Sequence, residues 1–197
     1  MRNFLAFIWE ITKIVIIALL IVVPIRYFIF QPFFVRGQSM EPNFESGDYL
    51  IVDEISYRFQ DPQRGEVVVF KYPINPSQRY IKRIIGLPGE TIEIEDGKVI
   101  IFSQAPSQIG DEDKSSSSPF AGARVLDESD YLSPFILTPG DIRITLAGDE
   151  YFVLGDNRVS SSDSRRWGPL PREYIVGRVF FRAWPFTAFA KIEVPTY

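Results

Sequence analysis

An apolar segment at the start of the chain constrains the fold more than any other feature of the sequence. Residues 14–25 read IVIIALLIVVPI, and residues 11–30 contain only Lys13 and Arg26 as charges, each near an end where a long side chain can reach water. Twenty helical residues, at about 1.5 Å each, span about 30 Å, the thickness of a bilayer's hydrocarbon core. The sequence therefore predicts an N-terminal tip and an uncleaved transmembrane helix over residues 1–30.

Two alternatives to this anchor are a buried helix of a soluble domain and a cleavable signal peptide. A cleavage site would need small residues after the apolar run, whereas residues 31–35 read QPFFV. The short leader before the run favours an N-terminus in the cytoplasm. We therefore expect a single-pass anchor, with the rest of the chain on the outer or lumenal side of the membrane.

After the apolar segment the sequence changes to short runs rich in β-branched and aromatic residues, which indicate strands. These runs are residues 49–53, 66–71, 80–85, 91–94, 98–102, 141–146, 150–154 and 175–182. Glu95, Asp96, Gly97 and Lys98 between two of them predict a tight hairpin. Since no long helical pattern follows the anchor, we expect a mainly β fold with a coiled or barrel-like sheet.

One stretch interrupts the strand pattern. Residues 110–118 read GDEDKSSSS, a charged and serine-rich sequence that is typical of an exposed loop. We therefore predict an irregular insertion over residues 103–138. It divides a β-rich core into residues 31–102 and residues 139–197.

The composition excludes several kinds of chemistry. The 197 residues include no histidine and no cysteine, so the chain has no imidazole base, no thiolate nucleophile and no metal site built from those ligands. If the chain is an enzyme, its proton carriers are Lys, Asp, Glu, Tyr or a terminal amine. The formal net charge of −4, without a basic block, argues against a nucleic-acid partner.

Four short segments carry the residues that suggest an activity. They are residues 37–42 (GQSMEP), 64–70 (RGEVVVF), 80–90 (YIKRIIGLPGE) and 155–168 (GDNRVSSSDSRRWG). In this order, behind an apolar anchor, they resemble the type I signal peptidases, which are membrane-bound Ser/Lys endopeptidases that remove signal peptides from exported proteins. The resemblance covers the anchor and nearly all of the later chain except the insertion, and it makes the β-rich core a catalytic domain.

The resemblance implies that Ser39 is the nucleophile and that Lys82 is its general base. A lysine amine with an ordinary pKa of about 10.4 is almost fully protonated near neutral pH, so such a base must be desolvated or lie beside another cation. Lys82 lies in an apolar run with Ile81 and Ile84, which could bury the amine. Nothing in the separation of 43 residues shows that Ser39 and Lys82 meet, and their proximity is implied by the resemblance alone.

The same resemblance gives supporting roles to further residues. Ser161 is expected to hydrogen-bond the lysine amine, and Asp163 and Arg165 are expected to hold their loop against the active site. Some family members have a second serine two residues before the nucleophile, where this chain has Gly37. We therefore expect the backbone at Ser39 and Gly37, and not a side-chain hydroxyl, to stabilise the oxyanion.

Substrate choice in this family follows from shallow pockets that admit only small residues at positions −1 and −3 of a signal peptide. The matching wall residues are Met40, Phe44, Tyr80 and Ile81. The resemblance implies no cofactor and no metal. The partners that it implies are the signal peptides of secreted preproteins, membrane lipid and the protein-export machinery, in a bacterial inner or thylakoid-type membrane.

Two alternatives to this function stay open in the sequence. A self-cleaving repressor-type peptidase shares the Ser/Lys pair and a related β fold, but it has a soluble N-terminal arm in place of an apolar anchor. A membrane-tethered β domain could bind peptides without cutting them, although such a domain would usually lack the serine or the lysine. Residues 28–35 and 183–190 are uncharged and apolar, which predicts either a surface that contacts the bilayer or ordinary core packing.

Overall fold

Antiparallel β-sheets form most of the computed structural model, which describes residues 2–28, 30–103 and 122–195. An N-terminal helix, α1 (Arg2–Phe28), precedes the strands, and a short helix, α2 (Ser164–Trp167), lies between two of them. The strands are β1 (Phe30–Phe34), β2 (Tyr49–Asp53), β3 (Val67–Tyr72), β4 (Asn75–Gly86), β5 (Thr91–Glu95), β6 (Lys98–Phe102), β7 (Ala123–Val125), β8 (Ile142–Thr145), β9 (Glu150–Leu154), β10 (Leu170–Pro171), β11 (Ile175–Trp184) and β12 (Ala190–Lys191). The prediction of a mainly β fold is confirmed.

The larger sheet has the strand order β1-β2-β11-β3-β4-β9-β10, with β12 paired to β11. Its central strand β3 is buried from Val67 to Phe70, so both of its faces lie in the core. Val67 and Val69 pack into one cluster with the residues around Met40, whereas Val68 and Phe70 pack into a second cluster on the opposite face.

The smaller sheet has the order β7-β6-β5-β8. Its central hairpin pairs Glu95 with Lys98, and Asp96 and Gly97 at the turn both have positive φ, as a tight two-residue turn requires. The predicted hairpin is therefore confirmed. Strand β7 falls within residues 103–138, so part of the expected irregular insertion is a short strand paired to β6.

Strand β4 connects the hydrophobic clusters of both sheets. Ile81 belongs to the cluster around Met40, Ile84 to the cluster on the other face of the larger sheet, and Ile85 to the cluster of the smaller sheet. The strand ends at Gly86, where an added Cβ would lie 2.7 Å from Ile92 Cγ1 and 2.9 Å from Leu146 Cδ1. The two sheets therefore approach each other too closely at this point for any larger residue.

Two expectations from the sequence, the serine-rich insertion and the transmembrane anchor, are not tested by the structure. The serine-rich stretch of residues 110–118 lies outside the described residues. The segment predicted as an anchor forms α1. Within the described part of the chain, no helix combines the length and the apolar character that a membrane crossing requires. The transmembrane anchor stays a prediction.

We expect Gly86→Ala to destabilise the fold by about 1–3 kcal/mol, because the added methyl group overpacks the junction between the sheets. Gly148→Ala is the matched control, since nothing lies within 4 Å of its added Cβ. The free energy of unfolding measured in urea separates the two variants. Equal stabilities would show that the junction can relax around a methyl group.

Candidate active site

Ser39 and Lys82 meet at the surface of the larger sheet. Ser39 lies in the turn between β1 and β2, and Lys82 lies in β4, opposite Val68 of β3. The Lys82 Nζ donates a hydrogen bond to Ser39 Oγ at 2.7 Å and a second one to the Ile81 carbonyl at 2.8 Å. The fold thus brings together two side chains that are 43 residues apart in the chain.

The surroundings of Lys82 favour its neutral form. The residue is 3% exposed, and burial lowers the pKa of its amine to about 8, although the charges of Asp163 and Asp156 act in the opposite direction. Burial disfavours an ammonium ion because the protein interior solvates the charge less well than water. A useful fraction of Lys82 is therefore a free base near neutral pH.

Asn157 fixes the backbone that carries Ser39. Its N–H donates to the Ser39 carbonyl at 3.1 Å, and its side-chain Nδ2 donates to the Gln38 carbonyl at 3.0 Å. At Gly155, an added Cβ would collide with Ser161 Oγ and with the Ser39 carbonyl oxygen. The sequence analysis gave Gly155 and Asn157 no role of their own, since nothing local in the sequence reports a partner more than 100 residues away.

A buried ion pair joins β4 to the same loop. Arg83, next to Lys82, donates from Nε to Asp156 Oδ1 at 2.9 Å and from Nη2 to Asp156 Oδ2 at 2.7 Å. Asn43 Nδ2 also donates to Asp156 Oδ2, at 2.9 Å. The Asp156 carboxylate therefore links three parts of the chain behind the Ser39–Lys82 pair, a role that the sequence analysis missed.

Asp163 and Arg165 form a second buried pair in this loop. The Arg165 guanidinium donates to both Asp163 oxygens, each at 2.8 Å, and the Gly155 N–H donates to Asp163 at 3.1 Å. Burial raises the pKa of the Asp163 carboxyl, but these hydrogen bonds and the Arg165 charge outweigh it and hold the pKa below its usual value. Arg165 also donates to the Arg158 carbonyl at 2.8 Å, so the pair holds its loop together.

Ser161 does not hydrogen-bond the lysine amine in this structure. Its hydroxyl is buried and makes no well-formed hydrogen bond among the described residues. It lies close enough to the Asp163 carboxylate to help lower the pKa of that group. The predicted bond to Lys82 would require the hydroxyl or the amine to move.

A cleft of about 640 Å³ opens over Ser39 and Lys82. Its lining comprises Phe33, Phe34, Arg36, Gly37, Gln38, Ser39, Gln78, Arg79, Tyr80, Ile81, Lys82, Ser160 and Ser162. Two of the expected wall residues, Tyr80 and Ile81, are in this lining. The other two, Met40 and Phe44, are 1% and 2% exposed and belong to the core beneath the cleft.

The two backbone N–H groups expected to bind the oxyanion, those of Ser39 and Gly37, differ in whether they already make a hydrogen bond. The Ser39 N–H makes no hydrogen bond within the described residues, so it is free to bind a developing oxyanion. The Gly37 N–H donates to Ser46 Oγ at 3.4 Å. Among the described residues there is also no group of three or more carboxylates that could hold a metal ion.

This arrangement can activate a serine without histidine. A neutral amine 2.7 Å from the Ser39 hydroxyl can accept its proton as the oxygen attacks a carbonyl carbon. A buried Ser–Lys pair on a mainly β scaffold, beneath an open cleft, defines a serine hydrolase in which lysine replaces histidine.

Comparison with known proteins gives the family. The family model described as signal peptidase, peptidase S26, matches residues 8–184, and the chain belongs to that family. A probable signal peptidase I-2 from Synechocystis sp. is 35% identical over 89% of this chain and 73% of its own length. The signal peptidase I of Leptolyngbya laminosa is 34% identical over 93% and 83%, and that of Bacillus caldolyticus is 36% identical over 88% and 90%. The resemblance drawn from the four sequence segments is confirmed.

We expect acylation of Ser39 to depend on the titration of Lys82. Since only the neutral amine can accept the serine proton, the rate should rise about tenfold per pH unit below a pKa of about 8 and level off above it. Burst kinetics with an activated ester such as p-nitrophenyl acetate measure this rate, with Ser39→Ala as the background. A flat profile between about pH 6 and about pH 9 would show that the base is another group.

Proposed function

We propose that the protein is a type I signal peptidase that cuts preproteins after small residues at positions −1 and −3. The observation that carries the proposal is the 2.7 Å hydrogen bond between the buried Lys82 amine and Ser39, in a chain of the signal peptidase family. No cofactor or metal takes part. The Ser39 hydroxyl and the Lys82 amine perform the chemistry.

The reaction has two halves. In the first, Lys82 accepts the proton of Ser39 as the serine oxygen attacks the scissile carbonyl, and the Ser39 N–H binds the resulting oxyanion. The protonated Lys82 then donates its proton to the leaving amine, which forms the new N-terminus of the mature protein. In the second half, Lys82 accepts a proton from water as the water oxygen attacks the acyl carbon. The bond between that carbon and Ser39 Oγ then breaks, and Lys82 returns the proton to Ser39, so the signal peptide leaves with a free carboxyl terminus and both residues are restored.

The walls of the cleft set the choice of substrate. Tyr80 and Ile81 lie beside Lys82 and leave room for small side chains at −1 and −3, while the buried Met40 and Phe44 support this wall from beneath. Strand β1 is at the edge of the larger sheet. An extended peptide can therefore bind along this edge, with the scissile bond at Ser39.

The membrane is the second partner. Residues 1–30 supply the cytoplasmic tip and the single transmembrane anchor, which keep the catalytic domain on the outer or lumenal side, close to the export machinery. Trp184, Phe186 and Phe189 are all more than half exposed, and they form an apolar surface suited to rest on lipid. Residues 31–102 and 139–197 form the catalytic domain, and residues 103–138 form its insertion.

We expect Ser39→Ala and Lys82→Ala each to lower preprotein cleavage by about a thousandfold or more, because neither residue has a substitute in a chain without histidine. The double variant should be no worse than either single variant, since the two side chains act as one unit. Lys82→Arg should be equally inactive, because a guanidinium stays protonated. Lys98→Arg, at an exposed position in β6, is the matched control.

Cleavage of a preprotein on a gel, with circular dichroism to verify folding, checks these variants. Losses that multiply in the double variant would contradict a shared mechanism. Full binding but no cutting by the parent protein would favour the alternative of a non-catalytic peptide-binding domain.

We expect deletion of residues 1–28 to leave cleavage of a short soluble peptide with Ala at −1 and −3 largely intact. The reason is that a tether raises the concentration of enzyme near membrane substrates without taking part in the chemistry. The deleted form should still sediment with lipid vesicles through its apolar surface. A folded form that is inactive on the peptide would make α1 part of the active site, and a failure to bind vesicles would eliminate the lipid-contacting surface.

A further inference from the structure

The charge of the active-site cleft is opposite in sign to that of the whole protein. The chain has a formal net charge of −4, yet the cleft lining includes Arg36, Arg79 and Lys82 and no carboxylate. Because a cleft focuses the potential of the charges that line it, it should favour negatively charged groups of a bound peptide.

Both arginines are exposed, and neither forms an ion pair with another of the described residues. Within the part of the chain that the structure describes, the Arg79 guanidinium donates to the neutral Gln31 side chain, at 3.3 Å, and to no carboxylate. Glu54 interacts electrostatically with Arg79. Burial raises the pKa of the Glu54 carboxyl, although the charges of Arg79 and Arg58 act in the opposite direction. Glu54 forms no ion pair with Arg79 within the described residues, so both guanidinium groups can bind another partner.

Both arginines line the cleft, and each comes before a member of the Ser39–Lys82 pair in the chain. Arg36 comes three residues before Ser39, just after β1, and Arg79 comes three residues before Lys82 in β4. Four successive antiparallel pairings connect β1 to β4 through β2, β11 and β3, so β1 and β4 run in the same direction. In β4, the three residues of extended chain from Arg79 to Lys82 span about 10 Å, whereas Arg36 reaches Ser39 through a bend and a turn.

The direction of these strands identifies the part of the substrate that meets the arginines. Helix α1 precedes β1, and Arg79 contacts Gln31 near the start of β1, so Arg79 lies on the side of the proposed anchor. A signal peptide whose apolar segment is in the bilayer reaches the cleft from that side. Arg79 therefore faces the residues that precede the scissile bond, and Arg36 lines the same cleft.

We propose that Arg36 and Arg79 select a carboxylate side chain at position −4 or −5 of the substrate. The inference rests on the proposed function and adds a determinant of specificity to it. Position −1 lies at the Ser39–Lys82 pair and position −3 must be small. An extended substrate places −4 and −5 about 10 Å and more from −1, and these are the next positions that can meet the arginines of the cleft lining. A lysine at these positions is disfavoured, since it would face two cations.

The experiment uses the full-length protein in detergent and peptides with Ala at −1 and −3. Asp, Asn or Lys is placed in turn at −4, −5, +2 and +3, with Asn as the uncharged match for Asp. We expect kcat/KM for Asp at −4 or −5 to exceed that for Asn by about threefold, with Lys below Asn, because exposed ion pairs are weak. The difference should shrink between about 0.1 M and about 1 M salt as screening increases.

The variants Arg36→Gln, Arg79→Gln and their combination test the assignment. The Asp/Asn ratio should fall in each single variant and reach about one in the double variant. Arg124→Gln is the matched control, because it removes the same charge from an exposed position in β7 of the smaller sheet and should leave the ratio unchanged.

The experiment distinguishes a failure of the proposed function from a failure of this inference. If the parent enzyme cuts no peptide, the proposed function is wrong, and so is this inference, because it rests on that function. If it cuts the Asp, Asn and Lys peptides equally, the function stands and the inference is overturned. A preference for Asp that occurs only at +2 or +3, or that survives in the double variant, would also overturn it.

Discussion

Burial of the Lys82 amine is the constraint on which the rest of the structure depends. An amine in water would hold its proton near neutral pH. The protein must therefore shield the Lys82 amine from solvent while placing it against Ser39. Two carboxylates in the region, Asp156 and Asp163, oppose this by raising the pKa of the amine. Each of them is paired with an arginine of its own, Arg83 and Arg165. Desolvation therefore outweighs the attraction of the two carboxylates, and the pKa lies at about 8.

The same strand explains why the fold can tolerate these buried charges. In β4, Lys82 faces the cleft, while its neighbours Ile81, Ile84 and Ile85 fill three different hydrophobic clusters. The Arg83–Asp156 pair beside them is almost fully buried. Removing one partner of such a pair typically costs about 3–5 kcal/mol, because it leaves a charge without compensation. Strand β4 thus couples the stability of the core to the position of the catalytic amine.

Local sequence patterns predicted the parts of the fold that depend on local physics. Runs rich in β-branched and aromatic residues located eight of the described strands but not β1, β7, β10 or β12, and Asp96 and Gly97 located a hairpin. The meeting of Ser39 and Lys82 depends on the path of β1, β2, β11 and β3 between them, so the sequence supplied it only through a resemblance.

Other features of the site could not be read from the sequence for a related reason. Met40 and Phe44 fit a pocket wall or a core equally well, and the structure places them in the core. Asn157 holds Ser39 through a backbone contact across more than 100 residues, which no local pattern reports.

At Gly37, where some family members have a second serine, the backbone conformation and not the available space disfavours a side chain. An added Cβ would meet nothing within 4 Å, but φ is +92°, a conformation that side-chain-bearing residues rarely adopt. A serine there would have to adopt this strained conformation or reshape the turn just before Ser39. Asn157 already holds that turn through the Gln38 and Ser39 carbonyls, so reshaping would disturb the nucleophile itself. The proposed oxyanion site therefore relies on the unbonded Ser39 N–H, because the turn that presents this N–H excludes the alternative hydroxyl.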